Sequence, residues 1–213
     1  LEEKGRLLEM DQVLTSHKTL ARQALDLSRI QQISDYEFYL EYQPQVSSLT
    51  GLCTGCEALM RARDSQGKVH SPWEFLQWLA QARLMPDVDV WVASQAVRQY
   101  QKWQKIGFAL PITINVSSAT LTNPAYGRQL VDILSLAHGH VSVEITEDAL
   151  VGDIQATRQM IQKLQAIGAK VYIDDFGTGF SSLSYLHQFP VDFIKIDRSF
   201  VVAQQDPKGA QVL

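Results

Sequence analysis

From about residue 35 onward, short apolar runs alternate with longer segments of helical periodicity. The runs with strand character are Glu37–Gln43, Cys56–Arg61, Ile112–Ser117, Val141–Thr146, Lys170–Phe176 and Asp192–Ser199. Between them, Pro72–Gln81, Val88–Gly107, Tyr126–His138 and Asp153–Gly168 carry apolar residues at helical spacing, and Gly168 is placed to terminate the last of these. Strands alternating with helices predict an α/β domain around a parallel sheet, either a barrel or a doubly wound sheet. Ahead of this region, Leu7, Met10, Leu14, Ala21, Ala24, Leu25 and Ile30 recur at helical spacing. Residues 1–34 are therefore expected to form a connector helix from an upstream module, and residues 35–213 a single domain.

Side chains alternate between the two faces of a strand. Ala58 and Met60 oppose Glu57, Leu59 and Arg61. Ile112, Ile114 and Val116 oppose Thr113 and Asn115. Val141, Val143 and Ile145 oppose Ser142, Glu144 and Thr146. Val171 and Ile173 oppose Tyr172 and Asp174, and Ile194 and Ile196 oppose Lys195 and Asp197. One face of each strand is mainly aliphatic, the side a helical layer would cover. The other carries Glu57, Asn115, Glu144, Asp174 and Lys195 near the C-terminal strand ends, where (β/α) barrels place their sites. Glu147 and Asp175 fall at or just past strand ends and can turn toward the same mouth.

Carboxylates gathered in one mouth repel unless protons or a multivalent cation neutralise them. A donor set of Asp, Glu and Asn oxygens, without His or Cys, favours a hard ion, Mg²⁺ or Mn²⁺. The adjacent Asp174 and Asp175 suit two ions, an arrangement that serves in-line displacement at phosphorus. The net charge is -4 with 23 acidic and 19 basic residues, which gives no support to a nucleic-acid surface. An anionic substrate would need metal ions or a few placed cations. No run has the length and apolarity of a membrane helix, and no signal-peptide pattern opens the chain, which points to the cytoplasm for this part of a parent that can itself be membrane-anchored. The two cysteines, Cys53 and Cys56, lack the second pair a zinc site needs and read as reduced thiols.

Several stretches together resemble the EAL family of cyclic di-GMP phosphodiesterases. They are Tyr42-Gln43-Pro44, Glu57-Ala58-Leu59 followed by Arg61, Asn115-Val116-Ser117, and Glu144-Ile145-Thr146-Glu147. Asp174-Asp175-Phe176-Gly177-Thr178-Gly179 and Lys195-Ile196-Asp197-Arg198-Ser199-Phe200 complete the set. Ala62, where the family often has Trp, and Gln81-Ala82-Arg83, where it usually has Glu-x-x-Gly, depart from the pattern. The resemblance implies a modified TIM barrel with an antiparallel first strand. It also implies hydrolysis of cyclic di-GMP to linear pGpG with two Mg²⁺ or Mn²⁺ ions. Glu57, Asn115, Glu144 and Asp174 would hold the first ion. Asp174 would bridge to the second, which Asp175 also binds, and Lys195 would orient or stabilise the attacking water. Gln43, Leu59 and Arg61 would line the nucleotide site. Glu147 would anchor the loop at Phe176 and Gly177, and residues 176–183 would carry homodimer contacts.

The family's later glutamate, a second-metal ligand, has no counterpart in this chain, and only six strand candidates are present. The expectation is therefore a barrel truncated after about six strands and an impaired enzyme. The chain opens without Met, as an excised piece of a longer protein would, and a sensor or GGDEF-like module is a possible upstream neighbour. The rival readings are a non-catalytic cyclic-di-GMP receptor and an EAL-like protein-interaction module, against which the complete set of visible metal-site motifs argues.

Overall fold

A computed structural model describes residues 36–177 and 188–203. The chain enters through a long antiparallel hairpin, β1 (Glu37–Val46) and β2 (Cys53–Arg63), followed by the two-residue strand β3 (Val69–His70) on β2. Helices α1 (Pro72–Gln81) and α2 (Met85–Lys105) lead into β4 (Ile112–Asn115). The short α3 (Ser118–Leu121) and α4 (Pro124–Ser135) precede β5 (Val141–Thr146). A 3₁₀ turn (Glu147–Leu150) and α5 (Ile154–Ala166) lead to β6 (Val171–Phe176), followed by β7 (Phe193–Ile196) and α6 (Arg198–Ala203).

The main sheet runs β1-β2-β4-β5-β6-β7, with β1 antiparallel to β2 and the later neighbours parallel. Each strand lies beside its predecessor on this path, with no reversal of order. A doubly wound sheet requires such a reversal, so the choice left open by the sequence resolves toward a barrel-type sheet. Among the described residues the sheet is open, with β1 and β7 as its edges. Pro44 sits in β1, and an edge strand tolerates its missing N–H.

The face alternation holds. Ala58, Met60 and Ala62 of β2, Ile112 and Ile114 of β4, Val141, Val143 and Ile145 of β5, and Val171 and Ile173 of β6 are buried in one apolar core. Trp91 and Val97 of α2, Leu130 and Leu134 of α4, and Ile161 and Leu164 of α5 belong to the same core. On β7 the pattern is present but uncovered, for Ile194 and Ile196 are exposed.

The helix ends follow from local chemistry. Asn123 Oδ1 accepts from the backbone N–H groups of Ala125 and Tyr126, and Asp153 Oδ1 accepts from Ala156 N–H at 2.9 Å. Gly168, at φ +85°, follows α5 in the left-handed conformation expected of it.

Several boundaries differ from expectation. The strand expected over Ile112–Ser117 ends at Asn115, because Ser117 caps α3. The hairpin strands extend past Gln43 and Arg61, to Val46 and Arg63, because cross-strand pairing continues beyond the apolar run. The segment Asp192–Ser199 is not all strand. It ends at Ile196, and Asp197 Oδ1 accepts from Ser199 N–H at 2.8 Å, starting α6. The helices read as beginning at Val88 and Tyr126 begin at Met85 and Pro124, each with proline in its first turn. The connector helix expected over residues 1–34 lies outside the described residues.

Candidate metal and phosphodiester site

Register carries the polar residues to one place. Glu57 pairs with Thr113 across β2 and β4, Asn115 with Glu144 across β4 and β5, and Thr146 with Asp174 across β5 and β6. Carboxylate oxygens of Glu57, Glu144 and Asp174 lie within 4.8 Å of one another. Lys195, on β7, donates from Nζ to Glu144 Oε2 at 2.6 Å, to Glu57 Oε2 at 3.1 Å and to Asp174 Oδ2 at 3.2 Å. Asn115 Nδ2 donates to Glu57 Oε1 at 2.8 Å, which leaves the amide oxygen outside that bond.

The Glu144 side chain is 0% exposed. Burial pushes its carboxyl above the usual glutamate range, with Lys195 opposing the shift. Burial also works against the Lys195 ammonium. The contact with Glu144 and the charges of Glu144, Glu57 and Asp174 outweigh that penalty and hold the lysine above its ordinary value. Glu144 Oε1 is buried without a hydrogen-bond partner. A buried lone acceptor inside a three-carboxylate group fits a bound cation, and the donors are all oxygens, as hard divalent ions prefer.

Asp175 reaches the mouth through a backbone irregularity. Strict alternation would send it to the face opposite Asp174. The β6–β7 register instead shifts between Ile173 and Phe176, so Asp174 and Asp175 together stand opposite the single residue Lys195. Such a bulge re-aims a side chain. Asp175 takes φ +54°, a conformation aspartate tolerates better than most residues. Burial raises its carboxyl pKa, with Asp174 and Asp197 adding to the rise. Asp175 lies outside the tight group of three carboxylates.

The turn after β6 is tied to the 3₁₀ turn by a side chain. Glu147 is buried, and its Oε2 accepts from Gly177 N–H at 2.8 Å. Gly177 has φ +98°, and a Cβ there would come within 2.5 Å of the Phe200 ring. The two most distinctive motifs, around Asp174 and around Lys195, therefore touch at a point that needs glycine. Phe176 is half-buried against the core. The rest of the expected dimer loop, from residue 178, lies outside the described residues.

Gln43 pairs with Glu57 across the hairpin, and Leu59 and Arg61 follow Glu57 on the same inward face. Arg61 is already engaged: Nε donates to Glu41 Oε2 at 2.8 Å and Nη1 to Met60 O at 3.0 Å.

Two residues that support the site went unread in the sequence. Glu41 shares the strand parity of Gln43, a signal that was available once a hairpin register was assigned. Asp89, buried in α2, accepts at Oδ2 from Ser117 N–H, Ser117 Oγ and Thr120 Oγ1, at 2.8, 2.5 and 2.6 Å. It holds the turn that begins two residues after Asn115. Its signal was an acid between apolar neighbours on a helix, Val88-Asp89-Val90.

A parallel α/β barrel sheet with an acidic, lysine-bearing mouth at its C-terminal strand ends defines a class of metal-dependent hydrolase sites. Comparison with known proteins gives the family: residues 26–213 match the EAL domain, and the chain belongs to it. It is 31% identical over 180 residues to the cyclic di-GMP phosphodiesterase PdeR of Escherichia coli, covering 83% of this chain and 27% of PdeR. It is 34% identical over 169 residues to the bifunctional diguanylate cyclase/cyclic di-GMP phosphodiesterase MucR of Pseudomonas aeruginosa, covering 78% of this chain and 25% of MucR. The chain thus spans about a quarter of the length of these relatives. Among solved structures, the PaMucR phosphodiesterase in complex with c-di-GMP superposes with a TM-score of 0.75 at 30% identity, covering 92% of this chain and 78% of that one.

Proposed function

We propose that the protein hydrolyses cyclic di-GMP to linear pGpG, with two Mg²⁺ or Mn²⁺ ions held at the barrel mouth. The observation that carries this reading is the convergence of Glu57, Glu144 and Asp174 with Asn115, where a buried oxygen of Glu144 has no hydrogen-bond partner. Glu57, Asn115, Glu144 and Asp174 would hold the first ion, and Asp174 with Asp175 the second. Bound there, the ions supply charge stabilisation at the phosphoryl oxygens and a more acidic water.

The chain's own groups do the rest. Gln43, Leu59 and Arg61 line the approach on the inward face of the hairpin, and Arg61 offers a charge-assisted donor to a phosphate. Lys195 Nζ lies beside Glu57, Glu144 and Asp174 at the centre of the mouth. That position suits a hydrogen-bond donor that orients the attacking water or stabilises developing negative charge. Glu147 fixes the turn at Phe176 and Gly177, and through it the backbone that presents Asp174 and Asp175.

The proposed setting is the bacterial cytoplasm. No helix among the described residues is long and apolar enough to cross a membrane. A GGDEF-like or sensor module in the same polypeptide and homodimer contacts through residues 176–183 complete the proposal. The test is incubation with cyclic di-GMP and Mg²⁺ or Mn²⁺, followed by chromatography of pGpG. Turnover that stops on chelation is expected. Full turnover after exhaustive chelation would sink the metal reading, and tight binding without turnover would make the protein a receptor.

A further inference from the structure

We infer that Glu41 is a positioning residue: it orients the Arg61 guanidinium toward a phosphate of the bound cyclic dinucleotide. The inference rests on the functional reading above, in which Arg61 meets the substrate. Glu41 pairs with Leu59 in the hairpin register, two positions from the Gln43–Glu57 pair, so it lies on the face that carries the site. Arg61 is diagonal to it. Its Nε donates to Glu41 Oε2 at 2.8 Å and its Nη1 donates to Met60 O at 3.0 Å.

These two contacts pin a planar group along two of its edges, and neither uses Nη2. A guanidinium held this way presents its remaining N–H groups in one direction, which is how arginine recognises phosphate with little ordering left to do on binding. Glu41 is a poor ligand for a phosphate in its own right, because two anions repel. Its contribution acts through Arg61.

The bland alternative is an exposed cross-strand ion pair with almost no effect. The same hairpin supplies the control. Arg63 Nη1 meets Glu37 Oε2 at 3.2 Å, with side chains 43% and 67% exposed, against 21% and 52% for Arg61 and Glu41. Arg63 also lies over the Tyr39 ring. The inner pair is shorter and better shielded, and it is joined to a backbone carbonyl.

The experiment compares the unsubstituted protein with Glu41→Ala, Glu41→Gln, Glu37→Ala, Arg61→Ala and the Glu41→Ala/Arg61→Ala double variant. Steady-state hydrolysis of cyclic di-GMP and the melting temperature are measured for each. Glu41→Ala should raise KM about five- to tenfold with kcat within about twofold, the size expected for loosening one charge-assisted contact. Glu41→Gln keeps an acceptor for Nε and should restore KM to within about twofold of the unsubstituted value. Glu37→Ala should leave KM unchanged, and the double variant should match Arg61→Ala.

An unchanged KM in Glu41→Ala, a full effect of Glu41→Ala in the Arg61→Ala background, or no rescue by Glu41→Gln would each overturn the inference. So would a Glu41→Ala melting point lowered by more than about 5 °C, which would assign Glu41 to hairpin stability. Absence of any turnover or binding by the unsubstituted protein is a separate outcome. It defeats the functional reading itself and the inference with it.

Discussion

At the mouth of the sheet, neighbouring residues on one strand have opposite duties. Glu57 joins the acidic group and is contacted by both Lys195 and Asn115. Met60 is buried on the helix-covered face. Glu57→Ala removes a charged ligand from the proposed first ion and should lower turnover on the order of 10²-fold or more, at least the loss seen when a ligand's outer partner is removed. Met60→Leu conserves volume and should cost less than about 1.5 kcal/mol of stability with turnover unchanged. Parallel rates of cyclic di-GMP hydrolysis and denaturant midpoints check both. Equal damage from the two substitutions would show the face assignment to be wrong. Such positions were legible because strand alternation is a rigid rule. Asp175 was legible as a residue of the mouth but not as a bulge. Its aim depends on two residues standing opposite Lys195 and on a positive φ, neither of which alternation encodes.

Elements hold these residues through contacts that span long stretches of sequence. The clearest is the grip of α2 on the turn after β4 through Asp89. Desolvation raises the Asp89 carboxyl from 3.8 to about 6, against the lowering effect of the hydrogen bonds from Ser117 and Thr120. The native protein therefore binds a proton between about pH 4 and pH 6 that the unfolded chain has released, and stability falls with rising pH across that window. The favourable contribution is complete below the unfolded value and is lost as pH rises through the folded one. A shift of roughly two pH units corresponds to about 3 kcal/mol.

Asp89→Asn cannot titrate. Its stability should therefore improve relative to the unsubstituted protein by about 2–3 kcal/mol between pH 4 and pH 7. Urea unfolding of both proteins across that range measures it, and parallel curves would refute the assignment. This contact was hidden in the sequence because it joins residues about 30 positions apart, and a buried acid on a helix looks like any exposed one until its partners are placed. The strand order and the antiparallel hairpin were legible through the motifs. α3 and β3 were not, since runs of four and two residues carry too little periodicity. Nor was α6, whose start depends on the local bond from Ser199 to Asp197.

For the whole molecule, electrostatics separates local from distributed recognition. The chain carries a net charge of -4, yet its proposed substrate is an anion. Two divalent ions bound at the mouth would bring that charge to about zero, so long-range attraction by the whole protein would contribute little to binding. In the proposed reading, binding would come from a few short contacts: ions at the Glu57, Glu144 and Asp174 group, the Lys195 ammonium, and Arg61 on the hairpin. Such contacts are partly shielded from solvent, where screening is weak. A protein that binds nucleic acid through many phosphates behaves otherwise, losing about 10³–10⁵ in affinity between about 50 and 200 mM salt. KM for cyclic di-GMP, measured at fixed divalent ion over that range of NaCl, should change by less than about threefold. A tenfold or greater rise in KM would mean that a broad cationic surface carries the binding, and the account built on this compact acidic mouth would fail.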